Sequence, residues 1–192
     1  MSGADPKGPV RASCLLSFSA SAILSAMETS SRAQASLAAL VERGGVYYNI
    51  GGATPPEALA DAARALALPK GMDRESLLRA VLERESLMPT AIGNGIAIPH
   101  PRNPLLSDEA LQRVAVLFLK SPIPYNALDG KPVSVFFLIL SANARSHLAV
   151  LAEVSHLCQR PDFLELLAAR PSTAELVAFI AKAEAGWGRG AD

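Results

Sequence analysis

Cysteine is almost absent from this sequence. Cys14 and Cys158 are the only two among 192 residues, and they lie far apart in the chain. Neither a zinc-type spacing nor a disulfide framework can be built from two such distant residues. The sequence therefore predicts no metal centre and a protein of the reducing cytoplasm, with Cys158 as a small buried residue on a helix.

An excess of charge of one sign is also missing. The 18 basic and 18 acidic side chains give a formal net charge of zero. A neutral chain is a poor match for nucleic acid or an anionic membrane surface, although a local patch can still bind an acidic partner. No Walker loop, zinc motif, G-x-S-x-G elbow or dinucleotide fingerprint is present either. We therefore predict no direct contact with nucleic acid and no cofactor.

The third absence is a long hydrophobic run. The best candidate, residues 14–26, is interrupted by four serines, and it is shorter than the ~20 residues that cross a bilayer. We therefore expect a chain that is not embedded in a membrane. Residues 1–34 are rich in Ser, Ala, Gly and Pro and predict a flexible N-terminal tail. The tail only faintly resembles a signal peptide, and Met27 is an alternative start.

Hydrophobic residues, in contrast, make up half of the chain, which is enough for a sizeable core. Helical and strand patterns alternate, which indicates a single α/β domain over residues 35–185 and a frayed C-terminus over 186–192. The runs Val114–Leu119 and Val133–Leu140 are apolar throughout and predict central strands covered on both faces. A further strand is predicted at 46–50, and helices are predicted at 35–41, 54–68, 73–87, 146–160, 162–169 and 172–183.

Two helix starts carry recognisable capping signals. Thr54, followed by two prolines and Glu57, predicts a capping box, and Asp73 predicts the cap of the next helix. At about 100° per residue, Arg84 on that next helix falls at the border of the apolar stripe, whereas Arg79 falls on the solvent side. Arg84 is thus placed to reach over the edge of the core, with a snorkelling side chain as the alternative.

One of the three histidines ends a distinctive run of residues. His100 follows a short apolar strand and Pro99, and Gly93, Asn94 and Gly95 lie just upstream. These three residues adopt backbone conformations outside the β region at little steric cost. Imidazole can act as a nucleophile, and it changes charge near neutral pH. The run therefore predicts an imidazole held in a fixed place at the edge of a sheet.

The other two histidines lie on one predicted helix. His147 and His156 are nine residues apart, so at about 100° per residue they point to opposite sides and cannot bind one metal together. His147 falls on the apolar side in the first turn, where the helix dipole favours an anion and a neutral imidazole. A hydrogen-bonded core histidine is the alternative for His147. His156 falls on the polar side and is predicted to face water.

His100, His147 and Arg84 could together form an anion site with a nucleophile. A guanidinium matches phosphate geometry, and transfer from a phosphohistidine needs mainly positioning and charge stabilisation. The sequence does not establish that the three side chains meet. A metal-dependent hydrolase is the weaker interpretation, because only His100 and His147 can converge.

Two segments carry a resemblance to a known family. Residues 84–87 (Arg-Glu-Ser-Leu) and 90–100 (Thr-Ala-Ile-Gly-Asn-Gly-Ile-Ala-Ile-Pro-His) closely resemble the enzyme IIA domain of the bacterial sugar phosphotransferase system, fructose/mannitol type, and its nitrogen-regulatory branch. The likeness extends to residues 129–133 and 146–148 and covers about residues 37–183. It implies a mixed β-sheet of about five strands flanked by helices. It also implies that His100 is transiently phosphorylated, that Arg84 stabilises the phosphoryl group and that His147 orients it.

The resemblance also implies protein partners. The donor would be an HPr-type phosphocarrier protein, and the acceptor would be a IIB domain. The alternative is a regulatory module that acts on a transporter, kinase or transcription factor, with phosphorylation as the switch. No IIB, IIC or HPr domain accompanies the resemblance, and residues 1–34 are too short for a DNA-binding module, so we expect a stand-alone or regulatory carrier. The one local departure is Met88-Pro89, where small residues are common.

Overall fold

The computed structural model describes residues 35–187. The predictions for residues 1–34, for Cys14 and for residues 188–192 lie outside that part. The elements in chain order are α1 (Leu37–Gly44), β1 (Val46–Ile50), α2 (Pro55–Ala65), α3 (Arg74–Leu87), β2 (Ala91–Gly93), β3 (Ile96–Ala97), a 3-10 turn (Glu109–Leu111), β4 (Arg113–Ile123), β5 (Val133–Leu140), α4 (Ala144–Leu157), α5 (Pro161–Ala168) and α6 (Thr173–Trp187).

The five strands form one mixed sheet in the order β1-β4-β5-β3-β2. β4 and β5 pair antiparallel at the centre, while β1 runs parallel to β4 and β3 runs parallel to β5. β2 and β3 form a short antiparallel hairpin at the edge. This architecture confirms the predicted α/β fold with a mixed five-stranded sheet flanked by helices.

The two long apolar runs become β4 and β5, which are covered on both faces. Alternate residues of a strand point to opposite sides, so each strand contributes to two hydrophobic cores. Val116 and Phe137 pack in the core against α1, α4, α5 and α6. Leu117 and Phe136 pack in the core against α2 and α3. The prediction of central, doubly covered strands is confirmed, and the sheet gives the histidine segment a rigid neighbour in β5.

The predicted helix starts are correct, but one cap differs in detail. The Asp73 side chain caps α3 by accepting a hydrogen bond from the Ser76 backbone N–H at 2.8 Å. Thr54 makes no side-chain cap at α2; the Glu57 carboxylate instead accepts from the Ala53 N–H at 2.9 Å. The predicted capping box does not form, because the carboxylate bonds one residue before the cap.

The end of α2 comes at Ala65, earlier than the predicted Leu68, because a side chain from the next helix takes over its carbonyl groups. The Arg74 guanidinium donates to the backbone carbonyls of Arg64 at 3.0 Å and Leu66 at 3.1 Å. These carbonyls lack partners within their own helix, so the arginine ties α2 to the start of α3.

The C-terminal helix α6 continues to Trp187, past residue 185, where the sequence placed the end of the domain. The Trp187 indole packs against the first core, and its ring centroid lies 5.6 Å from that of His156. Burial of this large aromatic surface favours the helical end over a frayed one. Helix α6 therefore includes Gly186 and Trp187, which the sequence analysis placed in the C-terminal tail.

Candidate functional site

A tight hairpin delivers the histidine segment to the edge of the sheet. Gly93 at the end of β2 and the turn residues Asn94 and Gly95 have φ values of 92°, 53° and 76°, a left-handed conformation that glycine and asparagine tolerate best. The Asp129 carboxylate fixes this turn by accepting from the backbone N–H groups of Asn94 at 2.8 Å and Lys131 at 3.1 Å. The loop that resembles the family at residues 129–133 is thus an anchor for the turn.

The backbone beyond β3 stays paired on both sides until it reaches the histidine. The Ile98 N–H donates to the Thr90 carbonyl at 3.0 Å, and the Ile139 N–H donates to the Pro99 carbonyl at 3.0 Å. The strand itself ends at Ala97, but the hydrogen bonds continue beyond it. They hold the backbone of His100 against β5.

Hydrogen bonding defines the tautomer of the His100 ring. Nδ1 lies 2.7 Å from the Ile98 carbonyl oxygen, and a carbonyl can only accept, so Nδ1 carries the proton. Nε2 is therefore bare in the neutral ring. It lies 3.2 Å from Nε of Arg84, whose N–H donates to it. The ring is buried, and its lone pair is directed at a guanidinium.

The neutral state of His100 follows from its surroundings. Burial is the largest cause that lowers its pKa from the ordinary 6.5 to about 4. The Ile98 carbonyl acts in the opposite direction, and the nearby His147 and Arg84 add to the lowering. At neutral pH the imidazole is uncharged and Nε2 keeps its lone pair.

Arg84 lies in the last turn of α3, at the border of the apolar stripe, as predicted. Besides its bond to His100, its Nη1 donates to the Met88 carbonyl at 2.9 Å. The guanidinium is thus held between the ring and the loop after α3, which is not the arrangement of a snorkelling side chain. Met88, the departure from the family pattern, contributes its backbone and leaves its side chain exposed.

His147 lies in the first turn of α4, whose cap Asn143 accepts from the Ser146 N–H at 2.9 Å. Its half-buried ring has its centroid 4.8 Å from that of His100, with 55° between the planes. Burial, and then the charge of Arg84, lowers the pKa of His147. The predicted inward orientation is confirmed, and His156 is exposed on the other side of the helix as predicted. His100, His147 and Arg84 therefore meet at one place.

Three residues of this site escaped the sequence analysis. Ser141, which directly follows β5, has its hydroxyl 3.0 Å from Nδ1 of His147. Glu85 accepts from both the backbone N–H and the hydroxyl of Thr90, at 2.8 and 2.6 Å. Because Thr90 in turn accepts from Ile98, the carboxylate braces the segment that orients His100. Glu85 and Thr90 belong to the family-like segment, whereas Ser141 has no sequence signal.

The other predicted features concern metal ligands, membrane spans and Cys158. Within residues 35–187 no three His, Cys, Asp or Glu side chains come together as a metal-binding group. No described helix is long and apolar enough to cross a membrane. Cys158 is buried as expected.

The sequence matches proteins of known families. Residues 40–183 match the family described as phosphoenolpyruvate-dependent sugar phosphotransferase system, EIIA 2. The nitrogen regulatory protein of Pseudomonas aeruginosa is 32% identical over 142 residues, which cover 72% of this chain and 90% of that protein. The fructose-specific EIIA component of Haloferax volcanii is 35% identical over 99 residues, which cover 50% of this chain and 61% of that protein.

Solved structures share the fold. The nitrogen regulatory protein IIA-Ntr of Neisseria meningitidis superposes with a TM-score of 0.65 at 24% identity, over 74% of this chain and 97% of that one. IIA mannitol of Escherichia coli superposes with a TM-score of 0.53 at 23% identity, over 71% and 95%. The match over residues 40–183 and the relative at 32% identity lead to one conclusion: this chain belongs to the type 2 enzyme IIA family of the phosphoenolpyruvate-dependent sugar phosphotransferase system.

Proposed function

We propose that His100 is the residue on which this phosphocarrier accepts its phosphoryl group, from the phosphohistidine of an HPr-type protein. The lone pair of Nε2 attacks the phosphorus atom, and a new N–P bond forms. The N–P bond of the donor breaks, and its electron pair returns to the donor's ring nitrogen. No proton has to leave His100, because Nδ1 keeps its hydrogen throughout.

One observation carries this proposal. The 2.7 Å hydrogen bond from Nδ1–H to the Ile98 carbonyl leaves Nε2 unprotonated, and the low pKa of His100 keeps it so at neutral pH. An activated nucleophile needs an available lone pair and a fixed direction of attack. Both are present at Nε2 without a separate general base.

The cationic neighbour supplies the charge stabilisation. Arg84 donates to Nε2 in the unphosphorylated ring, but Nε2 has no lone pair left once it is bonded to phosphorus. The N–H donors of Arg84 are then free to bond to the phosphoryl oxygens, whose geometry a guanidinium matches well. The nearby His147 ring adds a second group beside the phosphoryl oxygens.

Burial of the His100 ring also suits a carrier that must pass its phosphoryl group on to an acceptor. A phosphorylated Nε2 with a proton on Nδ1 leaves positive charge on the ring, and the Ile98 carbonyl stabilises that charge. Burial opposes it, as the lowered pKa of His100 indicates. The two effects oppose each other, so the phosphorylated ring is stable enough to form but still transfers its phosphoryl group readily.

The surroundings of the site fit a protein partner. Leu87, Met88 and Leu148 are 60%, 64% and 67% exposed, and each is close in sequence to Arg84 or His147. Large exposed apolar side chains are typical of protein contact surfaces. We therefore propose that the donor and a IIB-type acceptor dock here in turn, in the cytoplasm. A solved complex of mannitol enzyme IIA with phosphorylated enzyme IIB from E. coli has a similar IIA fold.

A regulatory role is the second candidate. Relatives from P. aeruginosa, Klebsiella oxytoca and E. coli that are 32–34% identical are named nitrogen regulatory proteins. In this version the phosphoryl group on His100 changes the charge of the docking surface and so selects between protein partners, such as a transporter, kinase or transcription factor.

Phosphorylation of the purified chain tests the first proposal. The chain is incubated with phosphorylated HPr-type donors, and we expect a phosphoryl adduct that is labile in acid and stable in base. His100→Ala should abolish it, and His156→Ala, which removes an exposed imidazole on the far side of α4, should not. No adduct on the wild type, or an undiminished adduct on His100→Ala, contradicts the proposal.

A transfer assay then separates the two roles. If the phosphorylated chain passes its group rapidly to a IIB domain, the carrier role is supported. If no IIB domain accepts the group, while phosphorylation changes the affinity for a regulatory protein, the switch role is supported.

A further inference from the structure

Ser141 is the one polar residue of the site that neither the family-like segments nor the proposed chemistry assigns. It directly follows β5 and is only 6% exposed. Its hydroxyl lies 3.0 Å from Nδ1 of His147, the ring that lies beside His100. A buried hydroxyl that hydrogen-bonds to one ring nitrogen of a histidine determines which of the two nitrogens carries the proton.

The choice of tautomer decides what His147 offers to a phosphoryl group. A hydroxyl both donates and accepts, so two arrangements fit the 3.0 Å distance. If Ser141 accepts, Nδ1 carries the proton and Nε2 presents a lone pair, which repels phosphoryl oxygens. If Ser141 donates, Nδ1 is bare and the proton lies on Nε2, which becomes a hydrogen-bond donor.

We infer that Ser141 is a positioning residue: its hydroxyl donates to Nδ1 of His147 and keeps the Nε2–H tautomer, which donates to a phosphoryl group on His100. This inference rests on the proposed function of His100. Burial and the charge of Arg84 disfavour a doubly protonated His147, so the ring has one proton and its placement matters.

The segment that carries Ser141 is itself fixed. The Ala142 N–H donates to the side-chain oxygen of Gln112 at 3.3 Å, and Gln112 is 4% exposed. Asn143 then caps α4 and also donates to Glu109 at 2.5 Å. Because the backbone of Ala142 and the side chain of Asn143 are both held, the Ser141 hydroxyl stays within reach of the His147 ring.

Nuclear magnetic resonance of the unphosphorylated protein tests the tautomer directly. Long-range ¹H–¹⁵N spectra distinguish a bare ring nitrogen from a protonated one. We expect a bare Nδ1 and a protonated Nε2 for His147 in the wild type, and a mixture of tautomers in Ser141→Ala. A protonated Nδ1 in the wild type overturns the inference, whatever the phosphorylation assay reports.

Kinetics test the consequence for transfer. Loss of one such hydrogen bond should slow phosphoryl transfer to His100 by about three- to tenfold, and Ser141→Thr, which keeps a hydroxyl, should restore most of the rate. Ser134→Ala is the matched control. Ser134 lies near the other end of β5, and its hydroxyl bonds to the Gly95 carbonyl at 3.4 Å. The backbone N–H groups of Ser134 and Val135 also donate to that carbonyl, so the substitution leaves it bonded.

The outcomes separate this inference from the proposed function. A wild-type rate in Ser141→Ala, an equal loss in Ser134→Ala, or a slower rate with unchanged His147 ring signals each overturns the positioning role. Absence of any adduct on wild-type His100 refutes the proposed function instead. If Ser141→Ala fails to fold, the wild-type spectrum and Ser141→Thr still decide: a bare Nδ1 in both supports the inference, and a protonated Nδ1 overturns it.

Discussion

The neutral state of His100 predicts a specific dependence of stability on pH. Burial lowers the pKa of His100 from 6.5 to about 4 in the folded protein. Between these two values the unfolded chain binds a proton that the folded protein does not bind, so stability falls as the pH falls. Above pH 6.5 the ring is neutral in both states and contributes nothing to this dependence.

The size of the effect follows from the two pKa values. At 1.36 kcal/mol for each tenfold difference in proton affinity, the change from 6.5 to about 4 corresponds to about 3 kcal/mol of folding free energy. The wild type therefore loses this amount between about pH 6.5 and pH 4 because of His100 alone. His100→Gln cannot bind the proton and should not show this loss.

Urea denaturation followed by circular dichroism, at pH values from 7.5 to 4, measures the difference. Carboxylates titrate in both proteins and cancel when the free energy of unfolding of His100→Gln is subtracted from that of the wild type. We expect this difference to fall by about 3 kcal/mol towards pH 4. A flat difference, or a rise towards low pH, would refute the lowered pKa of His100 and the burial that causes it.

Three further predictions concern the site, its surface and the core. Arg84→Ala should slow transfer to His100 on the order of 100-fold with little change in thermal unfolding; loss of cooperative unfolding would make the arginine structural. Leu148→Glu should raise the donor concentration needed for half-maximal transfer, whereas Leu128→Glu, a fully exposed residue in the β4–β5 loop, should not; equal effects would place docking elsewhere. Gly44→Ala should destabilise the protein by at least ~2 kcal/mol, because its Cβ would overlap a backbone carbonyl of β4. Gly186→Ala, with open space around it, is the control, and similar urea midpoints for both would contradict this packing.

The sequence predicted those elements whose bounds depend only on residues close together in the chain. β5 has the predicted bounds, Val133–Leu140, because a continuous apolar run is stable as a strand only when both faces are covered. α3 starts after Asp73 as predicted, because a cap needs only residues within one turn. The end of α2 was misplaced by three residues, because Arg74, from the next helix, bonds to its last carbonyls. No local sequence pattern predicts a contact of this kind.

The candidate site divides in the same way. Periodicity placed Arg84 at the border of the apolar stripe of its helix and His147 on the apolar side of its helix, and the glycine-rich run marked His100. The hydrogen bond from Arg84 to Nε2 of His100 joins α3 to the histidine segment, and only the fold brings these together. The bond from Nδ1 to the Ile98 carbonyl spans only two residues, but the sequence pattern does not show how the ring is turned. Ser141 shows the limit most clearly, since a serine after a strand carries no signal until the fold brings its hydroxyl to a ring nitrogen.

The sequence by itself therefore determined the class of fold, the family and the three side chains that carry the proposed chemistry. These depend on composition, on periodicity within single elements and on a motif of consecutive residues. Only the tertiary structure decided that the three side chains meet, that Nε2 of His100 is the bare nitrogen and that Ser141 contacts His147. The protonation states of His100 and His147 depend on burial and on neighbours such as Arg84 and Ser141, which are distant in sequence or unmarked by any pattern. These states are therefore set only when the chain is folded.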